Sequence, residues 1–198
     1  FQGSLITLGV DVGNPHCHYE VTRWTIPNVF KTVDPNMECR AKVIKYGKVQ
    51  SFDELHEIMR FYQPVATVID AQPEQRAAYE FACCYPNVRL CFYVNGVGGR
   101  QISESAQDYR ISVNRTSWLD CSLGRFRHGT ISIPVDVDLE YRNHIKEPVR
   151  VPKLDKDKNP YYTYVNVDAD HYAHARNYSE IALLLGLRVG RIQNIKIS

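Results

Sequence analysis

Two short apolar runs, each closing on an aspartate, constrain this chain more than any other feature. Residues 5–12 read Leu-Ile-Thr-Leu-Gly-Val-Asp-Val, and residues 65–70 read Val-Ala-Thr-Val-Ile-Asp. Short continuous apolar runs bounded by turn signals are the pattern of strands buried on both faces. A helix signal lies between them. Ser51 can cap it, Glu54 completes a capping box, Leu55, Ile58, Met59 and Tyr62 form the apolar stripe, and Pro64 ends it. Two strands joined by a right-handed helical crossover in one sheet run parallel. As neighbours they lie about 4.8 Å apart. Asp11 and Asp70 are then expected to project from one edge of the sheet, where α/β folds place ligands.

The rest of the chain extends this pattern. Residues 18–25 and 41–49 are rich in β-formers and read as antiparallel partners of the first strand, with a loop over 27–36 between them. Pro73-Glu74 opens a helix, where the missing proline N–H costs nothing. Residues 88–94 read as a fifth strand, 96–107 as a polar Gly/Ser-rich loop or hairpin, and 109–113 as another strand. Further on come a helix over 117–127, a short strand over 130–133, and a helix or irregular segment over 137–145. Residues 149–154 and 161–167 flank Asp155-Lys156-Asp157-Lys158-Asn159-Pro160 and predict a hairpin with a charged tip. The last helix runs from about Asp170 to Leu187. The fold class is therefore α/β: a mixed sheet of three antiparallel strands plus parallel strands, flanked by helices, with an added β-hairpin. Phe1-Gln2-Gly3-Ser4 reads as a protease-site remnant of expression, leaving 5–198 as one domain.

Composition narrows the function classes. Hydrophobic residues make up 44% and charged residues 23%, as in soluble globular proteins, and no apolar run reaches membrane-spanning length. The formal net charge is only +2, so contact with nucleic acid requires a local basic face. The six cysteines show no CxxC pair and sit among apolar neighbours, which reads as reduced core residues.

The chemistry rests on three acids. Asp11 and Asp70 close their strands, and Asp170 opens the last helix, which can pack on the same sheet. Converging carboxylates on a rigid scaffold suit Mg²⁺ or Mn²⁺, and two such ions about 3.5–4 Å apart can clamp a phosphodiester. Each acid also has a plainer reading, as a turn residue or a helix cap. Asp168, two residues earlier, is an alternative to Asp170. His174 shares a helix face with Asp170 and can ligate metal, orient the carboxylate or simply hydrogen-bond; His171 is a weaker counterpart. His16 and His18, with Cys17 between them, read as facing both sides of their segment, which speaks against zinc there. Arg76, Arg100, Arg115, Arg125, Arg127, Lys153, Lys156 and Lys158 are the candidate phosphate contacts. Contacts of that kind give salt-sensitive binding with little sequence preference.

At these residues the chain resembles a known family. Gly9-Val10-Asp11-Val12-Gly13, Thr67-Val68-Ile69-Asp70, Asn114-Arg115-Thr116-Ser117-Trp118-Leu119-Asp120 and the ending Asp168-Ala169-Asp170-His171-Tyr172-Ala173-His174-Ala175-Arg176-Asn177-Tyr178 are similar to the nuclease domain of tailed-phage terminase large subunits. The first motif occurs in many ATPases and nucleases; the last is the more specific. The resemblance implies a ribonuclease H-like fold and a two-metal endonuclease that cuts concatemeric double-stranded viral DNA during genome packaging, in the host cell cytoplasm. By position, Asp11 and Asp70 match the first and second metal-binding acids and Asp170 the third. Because some relatives have two adjacent acids at the third position, Asp168 stays open. The resemblance also implies an ATPase domain, a portal and a small terminase subunit as partners of the full-length protein, with the isolated domain a monomer. No G-x-x-x-x-G-K-[ST] loop occurs, and Gly96-Val97-Gly98-Gly99-Arg100 reads as a turn, so no ATPase activity is expected. Other readings are a junction resolvase or transposase of the same fold, and a non-catalytic docking domain.

Overall fold

The computed structural model describes residues 3–13, 15–31, 34–94, 98–105 and 107–195. In chain order the elements are β1 (Gly3–Asp11), β2 (Cys17–Ile26), α1 (Pro35–Glu38), β3 (Arg40–Val49), α2 (Phe52–Tyr62), β4 (Ala66–Asp70), α3 (Gln75–Cys83) and β5 (Val88–Tyr93). They continue with β6 (Ile102–Glu104), β7 (Arg110–Val113), α4 (Arg115–His128), β8 (Ile131–Ser132), α5 (Leu139–Lys146), β9 (Val149–Leu154), β10 (Pro160–Val165) and α6 (His171–Ile195).

The first strand is central to the sheet. β1 pairs antiparallel with β2 along its whole length and parallel with β4 on its other edge. β3 adds antiparallel to β2, while β5 and β7 continue the parallel half. The eight-stranded order is β6-β7-β5-β4-β1-β2-β3-β8, and β9 and β10 form a separate hairpin. The crossover between β1 and β4 follows the expected helix. The Ser51 side chain accepts from the Glu54 N–H at 3.4 Å, and Glu54 reaches back to the Gln50 N–H at 3.0 Å.

Strand alternation decides which side chain meets which layer. Leu8 and Val10 of β1 pack with Leu55 and Met59 of α2 and with Ala78, Phe81 and Ala82 of α3. Ala66 and Val68 of β4 pack with Tyr178, Ile181, Ala182 and Leu185 of α6. One face of the sheet therefore carries α2 and α3, and the other carries α6. On strands of this parity, Asp11, Asp70, His18 and Tyr93 all belong to the α6 face.

α6 lies directly on β1 because the contact is made of small residues. A Cβ built on Gly9 would stand 2.0 Å from the Ala175 carbonyl oxygen and 2.3 Å from the Ser179 nitrogen. No side chain fits there. Below Gly9, the Thr7 hydroxyl lies 2.7 Å from the Ser179 hydroxyl and receives the Trp24 indole N–H at 2.7 Å.

A buried ionic network ties α4, α5 and α6 to β2. Arg125 pairs with Glu180 at 2.6 Å, Arg176 joins Glu180 at 2.9 Å and Glu20 at 2.6 Å, and the Tyr141 hydroxyl donates to Glu20 at 2.7 Å. Burial pushes the Glu180 carboxyl up, but Arg125 and Arg176 overcome it and hold it at about 2. Two acids balance two guanidinium groups, so no net charge is buried among these four.

Several sequence expectations change. α4 begins at Arg115, two residues early, because the Asn114 side chain accepts the Ser117 N–H at 3.0 Å. The 137–145 segment is a helix, capped by Asp138 accepting from the Tyr141 N–H at 2.7 Å. The 96–107 loop contains edge strand β6, while residues 96, 97 and 106 lie outside the described ones. β1 starts two residues earlier than the apolar run, with Gly3 and Ser4 paired to Ile26 and Thr25. All six cysteines are free; four are buried as expected, but Cys83 and Cys84 at the end of α3 are exposed. Among the described residues no helix is long and apolar enough to cross a membrane.

Candidate metal centre

Register brings the first two acids together. Val10 of β1 is paired with Ile69 of the parallel β4, so Asp11 and Asp70 leave adjacent strand ends on one face. Asp11 is 6% exposed. Burial raises the Asp70 carboxyl to about 6, and the charge of Asp11 adds to the rise, against the Gln72 N–H that donates to Asp70 at 3.1 Å.

Asp170 immediately precedes α6, and its carbonyl accepts the Ala173 and His174 N–H groups at 2.9 and 3.2 Å. Its carboxylate Oδ2 stands 3.2 Å from His174 Nε2 and 3.7 Å from Arg115. A guanidinium only donates. The 3.2 Å bond from Arg115 to His174 Nε2 therefore makes that nitrogen an acceptor, with the ring proton on Nδ1, 3.1 Å from the Tyr93 hydroxyl. Asp170 Oδ2 is left buried with no hydrogen-bond donor. Burial pushes this carboxyl up, and the positive charge of the Arg115 guanidinium acts against that rise. A buried carboxylate oxygen without a donor is a costly arrangement that a cation relieves.

On the other side of the cluster, His171 Nδ1 bonds Asp11 Oδ2 at 2.8 Å, and that bond raises the His171 pKa. The His171 ring stacks on His18, with centroids 4.5 Å apart. Burial, reinforced by His171 and His144, drives His18 down to about 3, so its ring is neutral at neutral pH. One ligand atom each from Asp11, His18 and His171 lie within 4.8 Å of one another. The sequence alone speaks against a metal at His18 because His16 and His18 read as facing both sides of their segment, which offers no convergent partners there. The Asp11–His18 register pair and the α6 start supply them instead.

The three acids themselves are not such a group; among the described residues their oxygens do not all lie within 4.8 Å. A two-ion centre does not require that. Ions about 3.5–4 Å apart with oxygen ligands at about 2.1 Å span roughly 8 Å between end ligands. An all-carboxylate donor set with an unsatisfied buried oxygen fits hard divalent ions. Asp168 is exposed, and its backbone N–H donates to Glu147 at 2.8 Å.

No protein-family model matches the sequence, and no curated protein matches it significantly. Solved structures do match. The large terminase nuclease from thermophilic phage G20c aligns with a TM-score of 0.52 at 11% identity, over 89% of this chain and 81% of that one. Two structures from Thermus thermophilus are looser likenesses. RuvC gives 0.40 at 12% identity over 94% and 97%, and RuvC in complex with Holliday junction substrate gives 0.33 at 10% over 94% and 96%. The fold is ribonuclease H-like. At this identity it is the fold that is shared, and function has to be argued from the site.

On this ribonuclease H-like scaffold the basic candidates separate. Arg115 stands in the cluster beside Asp170 and also donates to the Tyr164 carbonyl of β10 at 2.9 Å. Arg150 and the Tyr164 hydroxyl both meet Asp120 of α4 at 2.8 Å. The hairpin is thus bolted next to the centre, and Lys153, Lys156 and Lys158 on it are exposed. A cleft of about 740 Å³ between α4 and the hairpin is lined by Asn114, Ser117, Arg150, Lys156 and Tyr162. Arg127 is exposed at the end of α4. Arg125 is corrected outright: at 2% exposure, paired with Glu180, it cannot reach a phosphate. Arg100 is paired with Asp34 and donates to the Cys121 sulfur at 3.1 Å. Arg76 is exposed and paired with Glu80 on α3, in the layer opposite α6.

Proposed function

We propose that this chain is a metal-dependent endonuclease for double-stranded DNA, with Asp11, Asp70 and Asp170 as ligands of two Mg²⁺ or Mn²⁺ ions. The observation that carries the reading is the buried, donorless Asp170 Oδ2 on the face where Asp11 and Asp70 end. Bound there, such ions supply Lewis-acid activation of water and of the phosphodiester. The protein's own groups do the positioning. His171 fixes the orientation of Asp11 through the 2.8 Å bond. Arg115 presents a guanidinium beside Asp170, suited to a backbone phosphate. His174, held between Arg115 and Tyr93, keeps that guanidinium in place. Burial favours Asp170 over the exposed Asp168 as third ligand. Lys153, Lys156 and Lys158 extend the DNA contact along the hairpin without reading bases.

The finer reading is cutting of concatemeric viral DNA during packaging, in company with an ATPase domain, a portal and a small terminase subunit. The sequence motifs and the shared fold with a phage terminase nuclease support it. The test is plasmid nicking. Cleavage is expected with Mn²⁺ or Mg²⁺ and none with EDTA. Asp11→Ala, Asp70→Ala and Asp170→Ala are each expected to abolish it in folded protein. Full activity in any one removes that residue from the centre, and loss with Asp168→Ala in place of Asp170→Ala reassigns the third ligand. Linear, circular and branched DNA are compared in the same assay; exclusive cleavage of branched DNA overturns the packaging reading in favour of junction resolution.

A further inference from the structure

We propose that His18, Glu140 and His144 form a second cation site, which binds a Zn²⁺-class transition metal ion beside the carboxylate centre. One ligand atom from each of these side chains lies within 4.8 Å of the others. Glu140 and His144 are four residues apart on α5 and so share one helix face, and His18 comes from β2.

The second observation is the state of the imidazoles. His18 is 5% exposed and neither of its ring nitrogens has a partner; His144 is 7% exposed and its Nδ1 has none. Three ring nitrogens without partners in one small buried region are exceptional, because buried polar atoms are nearly always satisfied. Each neutral ring offers one lone pair. Two imidazoles and a carboxylate with a further position open form a zinc-type donor set. Mg²⁺ prefers oxygen ligands, so this site and the all-carboxylate centre select different ions.

Access and competition are both visible. A cleft of about 560 Å³ lined by Leu139, Glu140, Asn143, His144 and Glu147 opens beside the cluster. Lys48 Nζ sits 2.9 Å from the Glu140 carboxylate and competes with a cation for it. The ion's effect on the neighbouring centre follows from stacking. Fixing His18 fixes the ring 4.5 Å away on His171, which bonds Asp11. The proposal does not rest on the nuclease reading.

The test is Zn²⁺ titration of the metal-stripped whole chain by calorimetry against a competing chelator, with Co²⁺ as a spectroscopic probe of nitrogen ligation. One Zn²⁺ per chain is expected in the wild type and in the double variant Asp70→Asn/Asp170→Asn. At least a tenfold loss of affinity is expected in His144→Ala, whose fold is checked by circular dichroism. If that variant fails to fold, Glu140→Gln serves in its place. Lys48→Ala should bind several-fold tighter. Absence of Zn²⁺ binding overturns the proposal. So does affinity unchanged in both His144→Ala and Glu140→Gln, which would place the ion elsewhere, for instance on the exposed Cys83–Cys84 pair. Loss in the double aspartate variant alone assigns the ion to the carboxylate centre and also overturns it. Failure of Mn²⁺-dependent nicking with Zn²⁺ binding intact sinks the nuclease reading and leaves this one standing.

Discussion

Gly9→Ala tests whether the α6 contact on β1 sets the centre. The new Cβ would sit 2.0 Å from the Ala175 oxygen, 2.3 Å from the Ser179 nitrogen and 2.9 Å from the Tyr178 carbonyl carbon. All three are backbone atoms, so no rotamer change relieves the clash. Real Cβ contacts are not found under 3.0 Å, so α6 has to retreat from β1 by about 1 Å. Overpacking of this kind costs about 3 kcal/mol, and the lower chain entropy of alanine offsets about 0.5–1 kcal/mol. The net, about 2 kcal/mol, lowers Tm by about 4–8 °C in a chain of this size. The variant remains folded at 25 °C, but α6 carries Asp170 with it. A 1 Å misplacement of a reacting group costs on the order of 10²-fold in rate. Thermal melting and Mn²⁺-dependent nicking measure the two effects on one sample. Gly124→Ala is the control, because its Cβ would meet nothing nearer than 3.8 Å. Wild-type Tm and wild-type nicking in Gly9→Ala would refute the claim that this approach fixes the centre.

Three further predictions use the electrostatics. Because burial raises Asp70 to about 6, a proton must leave before an ion binds; Mn²⁺ affinity by calorimetry should drop about tenfold per pH unit below that value. The same raised pKa favours the folded state when Asp70 is protonated and disfavours it as pH rises from about 4 through 6, so Asp70→Asn should raise the metal-free Tm at pH 7 while abolishing nicking. Glu180 has the opposite sign. Held at about 2, it stabilises the fold above its ordinary carboxylate range, by about 3 kcal/mol, and this is lost as pH falls toward 2. Glu180→Gln strands the buried Arg125 guanidinium and leaves Arg176 with Glu20 as its acid partner, and urea unfolding should show a loss of about 3–5 kcal/mol. On the hairpin, Lys153→Ala/Lys156→Ala/Lys158→Ala should weaken DNA binding uniformly across sequences and lower the log–log salt slope by about 2–3, read by fluorescence anisotropy.

Much of this was legible in one dimension because it depends on local patterning. The apolar runs ending at Asp11 and Asp70, the Ser51 cap, the Pro64 stop and the Lys-rich hairpin tip all follow from short-range chemistry. The crossover rule then makes the first two strands parallel before any coordinate is known. The Asp170–His174 spacing likewise places both on one face of a helix. The misreadings had long-range causes. Arg125 looks like any other arginine on a helix until Glu180, 55 residues away, buries it. His18 looks like half of a local histidine pair until strand register sets it opposite Asp11 and α5 brings His144 to it.

The sequence by itself determined the element order, the strand ends on which two carboxylates fall, and the acid that opens the final helix, because caps, periodicity and proline stops act within a few residues. Only the tertiary structure decided which charges face solvent and which are buried against each other, and which imidazoles gather around His18. Those depend on the seating of α6 on Gly9, between residues more than a hundred positions apart, and on strand register, neither of which a local pattern records.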